Sequence, residues 1–469
     1  MPLVAGVDCS TQSTKVEVRD ASTGALVATG RAPHPTVTPP RSEQDPAAWW
    51  SAFETAWRQA GSPEVAAISV AGQQHGMVAL DAERDVIRPA KLWNDTESAP
   101  DAGWLMKQLA DGAAGWAQAC GSVPVASFTV TKLSWLHRSE PEAWARLAHV
   151  VLPHDWMTMK LSGELVTDRG DASGTGYWSP AAGEYRWDLL AIVDGDRDWS
   201  TVVPRVLGPT EAAGTWGRAL VGPGTGDNMG SALALGLGTG DVAVSVGTSG
   251  TVYAVSGRPT ADASGAVAGF ADATGRYLPL VCTLNAAKVT EAVARLVGYD
   301  HAAMDAAALG EPPGAGGLVL LPYLDGERTP NRPAATGVLA GLRSDVRREQ
   351  LARAAVEGVV CGLLDGLDAL AAHADTGGRL LLVGGGARSA AYRQVLADLS
   401  GRPVAVPEAD ELVATGAAVQ AAAVLDGSAP NDVVAAWSLG TTLVVEPALD
   451  ADRAAEVRAA YAARRDAEA

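Results

Sequence analysis

The sequence predicts an α/β protein built from two domains, and three observations carry this prediction. The chain has 469 residues, which is too long for one hydrophobic core and suits two sizeable domains. Apolar strands alternate with helical patterns along it. Residues 6–18 and 245–255 are similar strand, turn and strand segments about half a chain apart. We therefore expect domains of residues 1–237 and 238–469, each containing one of these hairpins.

The first half begins with a predicted antiparallel meander. The hairpin of residues 6–18 is followed by a turn and a third strand over residues 25–31. Asp45 and Pro46 then start a helix whose aromatic residues recur at helical spacing, and we interpret those aromatics as packing residues. Residues 65–71 form an apolar strand, and the polar cluster Gln73-Gln74-His75-Gly76 follows at its exit.

The second half shows the same alternation. After its hairpin, residues 318–321 form a buried strand, residues 347–370 an amphipathic helix and residues 380–383 a further strand. Three glycines follow that strand, and a helix begins near Ser389. The chain ends in a helix after Asp450 that we expect to be solvated.

Composition and charge exclude several classes of protein. Apolar residues make up 47% of the chain and charged residues 19%, which is typical of a folded enzyme. The net charge of −18 argues against a nucleic-acid partner, which needs a basic stripe. It is compatible with a nucleotide, because backbone N–H groups and one metal ion can hold a few phosphates.

Cysteine spacing and hydropathy indicate the compartment. The 4 cysteines form no Cys-x-x-Cys pair, so neither a zinc site nor a disulfide framework is indicated. No run reaches the roughly 18 apolar residues of a membrane helix. The N-terminus enters a strand without a leader pattern. We therefore expect a soluble, cytoplasmic protein with no membrane partner.

The turns of the two hairpins suit phosphate groups. Each combines hydroxyl residues with backbone N–H groups that point to one side. Thr11 and Lys15 are the candidates in the first hairpin, although Lys15 could equally face solvent. Thr248 and Ser249 are the candidates in the second.

Two acidic residues stand at positions suited to phosphoryl chemistry. Asp8 lies beside the first turn, where a carboxylate repels phosphate unless a cation such as Mg²⁺ lies between them. The alternative is an Asp that only satisfies turn N–H groups. Asp227 follows a glycine-rich stretch, where it could cap a helix or act as a general base on a substrate hydroxyl.

Polar clusters in the first half suit a sugar. Gln74 and His75 stand at the end of a buried strand, where α/β sheets bind ligands, although a core histidine is the alternative. Trp93 and Asn94 add an aromatic face and an amide. In the second half, the glycines at 384–386 lack the dinucleotide-binding spacing and would instead allow a flat ring to lie against the backbone.

These motifs together resemble the FGGY carbohydrate kinase family over nearly the whole chain. The resemblance rests on Ser42-Glu43-Gln44-Asp45-Pro46, Gln73-Gln74-His75-Gly76, Leu92-Trp93-Asn94-Asp95, Gly226-Asp227-Asn228, Gly247-Thr248-Ser249-Gly250, Asp325-Gly326-Glu327-Arg328-Thr329-Pro330 and Gly384-Gly385-Gly386-Ala387-Arg388-Ser389. It implies the two-lobed α/β fold of sugar kinases, Hsp70 and actin, a ribonuclease H-like fold with mixed sheets flanked by helices and a cleft between the lobes. The N-terminal lobe would bind the sugar and the C-terminal lobe ATP.

The resemblance also implies an activity and a set of site residues. The activity is ATP-dependent phosphorylation of D-xylulose to D-xylulose 5-phosphate, with Asp227 as the base on the sugar hydroxyl and Asp8 at the Mg²⁺ and phosphate end. The implied sugar contacts are Gln74, His75, Trp93, Asn94 and Asn228. The implied ATP contacts are Thr11, Lys15, Thr248, Ser249, Gly384, Gly385, Gly386, Ala387 and Ser389. The family also makes a homodimer an expectation.

Three departures from the family pattern and three alternatives stay open at this stage. Ser10 stands where the family usually has glycine, Gln74 where methionine is frequent, and the segment between Pro204 and Asp227 is short. The alternatives are a kinase for another ketopentose or polyol such as ribulose or an alditol, a non-catalytic sugar or nucleotide sensor, and an actin-like filament former.

Overall fold

The structure is a computed structural model that describes residues 2–408, 411–439 and 442–468. The chain forms two compact units. The first consists of Met1–Leu237, Gly257–Leu278 and Ala409–Gly440, and the second of Gly238–Ser256, Pro279–Glu408 and Thr441–Ala469. The chain thus passes from the first unit to the second after Leu237, and two later segments return to the first unit.

The first unit contains eleven α-helices and sixteen strands among its described residues. The helices are Pro46–Gln59, Ala99–Met106, Gly112–Cys120, Thr129–Ser139, Pro141–Arg146, Pro153–Ser162, Arg169–Ala172, Trp187–Val193, Asp227–Ala234, Leu412–Asp426 and Pro430–Ala436, with a 3-10 turn at Trp199–Thr201. The strands are Leu3–Cys9, Ser13–Asp20, Leu26–Pro33, Glu43–Gln44, Ala67–Gly72, Val78–Leu80, Ala90–Lys91, His149–Val151, Val166–Asp168, Trp178–Ser179, Glu184–Tyr185, Arg205–Leu207, Gly214–Trp216, Ala219–Val221, Thr225–Gly226 and Ala268–Ala271.

The main sheet of the first unit brings three parallel strands together. The first three strands form the predicted antiparallel meander. Leu3–Cys9 also runs parallel to Ala67–Gly72, with Asp8 opposite Ala71. Thr225–Gly226 is parallel to Ala67–Gly72 on its other side, with Thr225 opposite Ala71. The carboxyl ends of these three strands therefore meet at one edge of the sheet.

Helices cover both faces of this sheet, which explains why every residue of Ala67–Gly72 is buried. Pro46–Gln59 begins at the predicted cap, where Asp45 accepts a hydrogen bond from the Ala47 N–H at 2.9 Å. Its Trp49 and Phe53 lie in the core, which confirms their interpretation as packing residues. On Leu3–Cys9, a Cβ at Gly6 would lie 1.9 Å from the Ala414 carbonyl oxygen, so helix Leu412–Asp426 packs directly on the strand backbone.

No single helix in the described ranges is long and apolar enough to cross a membrane. The pair Leu412–Asp426 and Pro430–Ala436, bent by 109°, passes together by length and composition only.

The second unit is built on a sheet with a parallel centre. Its helices are Ala287–Val297, His301–Gly310, Arg348–Ala371, Ala390–Ser400 and Ala451–Ala467, with 3-10 turns at Ala315–Gly317 and Gly385–Arg388. Its strands are Val242–Val246, Gly250–Ala254, Tyr277–Thr283, Val319–Leu321, Val338–Ala340, Leu380–Val383, Val404–Pro407 and Thr442–Val445, of which Tyr277–Thr283 begins in the first unit. Val242–Val246 is parallel to Leu380–Val383, which is parallel to Val404–Pro407.

The C-terminal helix departs from the expectation of a fully solvated helix. Asp450 caps it as its sequence suggests, accepting a hydrogen bond from the Arg453 N–H at 2.9 Å. Ala454, Val457 and Tyr461 are buried, because they recur on one face of the helix. One face therefore packs, and only the remainder is exposed.

Candidate active site

Both predicted catalytic residues and most of the predicted sugar contacts come from the three parallel strands of the first unit, whereas Trp93 and Asn94 follow strand Ala90–Lys91. Asp8 is the penultimate residue of Leu3–Cys9, Gln74 and His75 follow Ala67–Gly72, and Asp227 comes directly after Thr225–Gly226. Ligand sites of parallel sheets lie outside the carboxyl ends of the strands. Strand order and register therefore bring together residues that are up to 219 positions apart in sequence.

Asp8 is almost fully buried, and one of its two carboxylate oxygens forms an ion pair. Lys15 lies opposite it on the neighbouring strand and donates to its Oδ2 at 3.0 Å and to Glu411 Oε2 at 2.8 Å. Asp8 Oδ1 is buried and has no hydrogen-bond partner among the described residues. Burial raises the pKa of Asp8 and the Lys15 ammonium opposes that rise. The free oxygen fits a hard cation such as Mg²⁺, which prefers carboxylate oxygens.

Side-chain hydrogen bonds connect the turn of the first hairpin to the segments around Gln73 and Trp93. The indole N–H of Trp93 donates to Thr11 Oγ1 at 3.0 Å, and Thr11 Oγ1 donates to Gln73 Oε1 at 3.0 Å. Ser10 does not adopt a positive φ, so the turn closes without the conformation that favours glycine. Its N–H and hydroxyl both donate to the Ser13 carbonyl at 3.1 Å.

Gln74, Asn228 and Asp227 form a hydrogen-bonded row. Asn228 Nδ2 donates to Gln74 Oε1 at 2.6 Å and to Asp227 Oδ1 at 2.8 Å. Asp227 Oδ1 also accepts from the Asn228 N–H at 2.8 Å, whereas Oδ2 accepts no hydrogen bond from the described residues. Asp227 is the first residue of helix Asp227–Ala234 and Gly226 is its N-cap, so the side chain does not serve as the cap.

Among the predicted sugar contacts, two amide groups have a buried atom without a partner. Gln74 Nε2, a donor, and Asn94 Oδ1, an acceptor, make no hydrogen bond with the described residues. Leaving a buried polar atom unpaired costs about 1–3 kcal/mol, so such groups call for a ligand or water. One donor and one acceptor suit the hydroxyls of a sugar.

The surroundings of Asp227 shift its pKa. Burial raises its pKa to about 7, and the carboxylates of Asp8 and Asp171 add to the rise, while hydrogen bonds from Asn228 lower it. A carboxylate whose pKa lies near neutrality can both accept a proton and release it again. This is the property that a general base for a hydroxyl requires.

His75 is held in an uncommon conformation. Its φ is +63°, in the left-handed region that most side chains avoid. Its ring packs against Phe128 and Phe270 at centroid distances of 5.3 and 5.0 Å. The backbone N–H of His75 donates to Asp171 Oδ1 at 3.2 Å. Sequence reasoning missed Asp171, Phe128 and Phe270. The small and acidic run at positions 168–176 was the available signal, but no spacing links it to position 75.

In the second unit, the predicted phosphate turn and the glycine run are neighbours. Val242–Val246 leads into the turn at 247–249, and the parallel strand Leu380–Val383 leads into the glycines. A Cβ at Gly384, whose φ is +82°, would lie 2.8 Å from the Val246 carbonyl oxygen. Thr248 is exposed and Ser249 half-buried, so both can meet a ligand.

Within the glycine run, only some groups stay open. A Cβ at Gly385 would meet nothing within 4 Å, whereas one at Gly386 would lie 2.3 Å from Val246 Cγ1. The Ser389 hydroxyl caps helix Ala390–Ser400 by accepting from the Tyr392 N–H at 3.1 Å, and it donates to Asp305 Oδ1 at 2.5 Å. Ala387 is buried. Backbone and the exposed Gly385 therefore offer the ligand surface here.

Comparison with known proteins identifies the family. Residues 3–226 match the N-terminal domain of the FGGY family of carbohydrate kinases, and residues 242–425 match its C-terminal domain. The chain belongs to the FGGY family of carbohydrate kinases. The expected sugar-kinase fold, with mixed sheets flanked by helices, is confirmed.

Among its FGGY relatives are several xylulose kinases. The chain is 50% identical over 465 residues to the xylulose kinase of Streptomyces coelicolor, covering 97% of this chain and 94% of that one. It is 36% identical to the xylulose kinase of Escherichia coli, covering 85% and 84%. The crystal structure of xylulose kinase from Bifidobacterium adolescentis superposes with a TM-score of 0.87 at 42% identity, covering 99% of both chains.

Proposed function

We propose that this FGGY kinase transfers the γ-phosphoryl group of ATP to D-xylulose and forms D-xylulose 5-phosphate. The observation that carries the proposal is Asp227, whose Oδ1 is linked through Asn228 to Gln74, while its own Oδ2 and Gln74 Nε2 make no hydrogen bond with the described residues. The relatives that share about half of their residues with this chain are xylulose kinases, which supports the choice of sugar.

Asp227 acts on the proton of the attacking hydroxyl. The hydroxyl of the sugar donates to Asp227 Oδ2, and the proton moves to that oxygen as the sugar oxygen attacks phosphorus. Base assistance of this kind contributes typically 10²–10⁴-fold, with positioning and charge stabilisation supplying the rest. Asn228 keeps the carboxylate oriented through two hydrogen bonds to Oδ1, which leaves Oδ2 as the basic oxygen.

The sugar is oriented by groups that lack partners in the protein. Gln74 Nε2 donates to one hydroxyl and Asn94 Oδ1 accepts from another, while His75 and the Trp93 ring complete the contacts. Methionine at position 74 would supply no such donor. Gln74 therefore offers the sugar a polar contact that methionine would lack.

The second unit supplies the nucleotide contacts. Thr248 and Ser249 meet the phosphates, and the backbone at Gly384, Gly385 and Gly386 borders the adenosine. In the first unit, Asp8 Oδ1 would hold Mg²⁺ directly or through water, while Lys15 remains paired with Oδ2. Magnesium bound with ATP neutralises phosphate charge and so favours attack by an oxygen nucleophile.

A panel of sugars tests the proposal. ADP release is measured with ATP and Mg²⁺ for D-xylulose, D-ribulose, xylitol, ribitol and glycerol, and the product is identified by mass spectrometry and NMR. We expect D-xylulose to have the highest kcat/KM and the phosphate to be on O5. Rapid turnover of ribulose or an alditol beside undetectable turnover of xylulose would identify a different sugar kinase.

The Asp227→Ala variant separates an enzyme from a sensor. It should bind D-xylulose with a Kd close to that of the unmodified protein, because it removes the base but not the amide contacts. Its kcat should fall by about 10²-fold or more. Turnover near the unmodified rate would show that another group is the base, and sugar binding without turnover in the unmodified protein would favour the sensor.

A further inference from the structure

A fully buried cluster of one histidine and three carboxylates lies behind the sugar-binding row in the first unit. His154 stands at the start of helix Pro153–Ser162, and its Nε2 is 3.2 Å from Asp155, 3.3 Å from Asp168 and 3.5 Å from Asp171. The four residues are at most 3% exposed. Burying several charged groups costs free energy unless they are paired. None of the binding or catalytic roles proposed above belongs to His154, Asp155 or Asp168.

Asp171 is the member of the cluster that reaches the sugar site. Its Oδ1 accepts from the His75 N–H at 3.2 Å and lies 3.5 Å from the ring Nδ1, while its Oδ2 faces His154. The carboxylate thus bridges His154 and His75. Asp168 fixes the helix that carries Asp171, because it accepts from the Gly170 and Asp171 N–H groups at 2.8 and 2.9 Å.

Neighbouring residues leave the His75 ring little freedom. A Cβ at position 174 would lie 1.9 Å from both Nδ1 and Cε1 of the ring, so only glycine fits there. Thr129 Oγ1 donates to the His75 carbonyl at 3.2 Å, and two aromatic rings flank the imidazole. The left-handed backbone at His75 persists because these contacts outweigh its strain.

We propose that Asp171, held by His154, is a positioning residue for the sugar site that fixes the backbone and the ring of His75. An Nδ1–H that faces the Asp171 carboxylate makes Nε2 the acceptor nitrogen, which then accepts from a sugar hydroxyl. The inference rests on the proposed function in two respects, which are that His75 contacts the sugar and, for the pH profile, that Asp227 is the base.

Asp171 also links the cluster to the catalytic base. Its carboxylate is among the groups that raise the pKa of Asp227, after burial and Asp8. The charged groups that act on the pKa of Asp227 are Asp8 and Asp171. Asp8 is paired with Lys15, which also donates to Glu411, and Asp171 lies beside His154. Replacing Asp171 by a neutral residue should therefore lower the pKa of Asp227.

The test compares Asp171→Asn with Asp155→Asn. Each removes one carboxylate from the same buried histidine at nearly constant volume, but Asp155 accepts from the Leu152 N–H, whereas Asp171 accepts from the His75 N–H. We expect Asp171→Asn to raise the KM for the sugar about fivefold, since a charge-assisted hydrogen bond is replaced by a neutral one. It should also move the acid limb of kcat/KM to lower pH, because a carboxylate that raises the pKa of Asp227 is removed. Asp155→Asn should change neither value.

Gly174→Ala is a second variant that changes no charge. The added methyl group should displace the His75 ring and raise the KM by about tenfold or more while leaving the acid limb in place. It keeps the proposal testable if Asp171→Asn folds poorly, which thermal unfolding of each variant reports.

A readout without turnover separates this inference from the proposed function. With ¹⁵N-labelled histidine, the 7 histidines of the chain are resolved, and His75 is assigned by its loss in His75→Gln. The Nδ1 resonance of His75 should move in Asp171→Asn and stay in Asp155→Asn, whether or not any sugar is phosphorylated. Equal shifts in both variants, or an unchanged KM and resonance in Asp171→Asn, would overturn the positioning role.

Discussion

At the scale of single residues, three of the proposed site residues have polar atoms without partners. Asp227 Oδ2, Gln74 Nε2 and Asn94 Oδ1 make no hydrogen bond with the described residues. Hydrogen bonds to the other oxygen of Asp227 set its orientation, and burial sets its pKa. The chemical role of this residue therefore depends on its surroundings more than on its type.

The pKa of Asp227 predicts the pH dependence of the reaction. Its pKa is raised to about 7, so the proton stays on the carboxyl group below that pH and the base is lost as the pH falls through this value. We expect kcat/KM for D-xylulose to be constant above neutrality and to fall tenfold per unit below it. A pH profile from about pH 5 to pH 9 measures this.

The matched control is Asp227→Asn, which keeps the shape and lacks the titrating group. Its residual kcat should show no acid limb in that range, because Asp171, whose pKa is also raised to about 7, acts on sugar binding and therefore on KM. An acid limb of kcat with the same midpoint in Asp227→Asn would assign the ionisation to another residue.

At the scale of elements, close backbone contact fixes where the catalytic strands lie. Helix Leu412–Asp426 packs on Leu3–Cys9 at Gly6 and on helix Asp227–Ala234, where a Cβ at Gly416 would lie 1.9 Å from the Gly230 carbonyl oxygen. Both glycines allow approach that any side chain prevents. Helix Leu412–Asp426 thereby sets the position of the strand that carries Asp8 and of the helix that carries Asp227.

Gly6→Ala tests this packing. The new Cβ would lie 1.9 Å from the Ala414 carbonyl oxygen and 2.4 Å from the Ala418 N, and neither backbone atom can move aside alone. We expect a loss of about 2 kcal/mol or more in the free energy of unfolding, with a lower Tm and lower kcat. Chemical denaturation measures the loss.

Gly103→Ala is the control, because it adds the same methyl group at a position where there is space for it. Its Cβ would meet nothing within 4 Å in helix Ala99–Met106, so it should be neutral or slightly stabilising. Equal losses in both variants would indicate that packing at Gly6 is not the cause.

At the scale of the whole molecule, the two units present different chemistry. The first carries acids, amides and an imidazole at its strand ends, and the second carries a hydroxyl turn and open glycine backbone. We expect D-xylulose alone to slow hydrogen exchange at residues 73–76 and 227–231. ATP with Mg²⁺ should slow it at residues 247–250 and 384–389.

Hydrogen exchange with mass spectrometry measures both patterns. Glycerol, added at the same concentration as xylulose, is the control for non-specific stabilisation. Protection by the sugar confined to the second unit would contradict the assignment of the sugar contacts.

The sequence was sufficient wherever a local pattern carries the information. Cap residues located the helices after Asp45 and Asp450, alternation located the meander, and the family motifs predicted Asp227, Gln74 and the glycine run as site residues. The prediction that the last helix is solvated was wrong in part, because Ala454, Val457 and Tyr461 are buried along one face of it. Amphipathic spacing marks a buried face only weakly when alanine and charged residues dominate.

Sequence alone determined the family and the two-domain α/β class, and it supplied the residues that we propose as sugar and nucleotide contacts, because these depend on motifs read along the chain. Only the tertiary structure decided that Lys15 pairs with Asp8 and Glu411, that Asp171 and His154 stand behind His75, and that Asp227 has a pKa near neutrality. Those properties depend on burial and on charges that the parallel strands bring together from distant positions, and no spacing in the sequence encodes such distances.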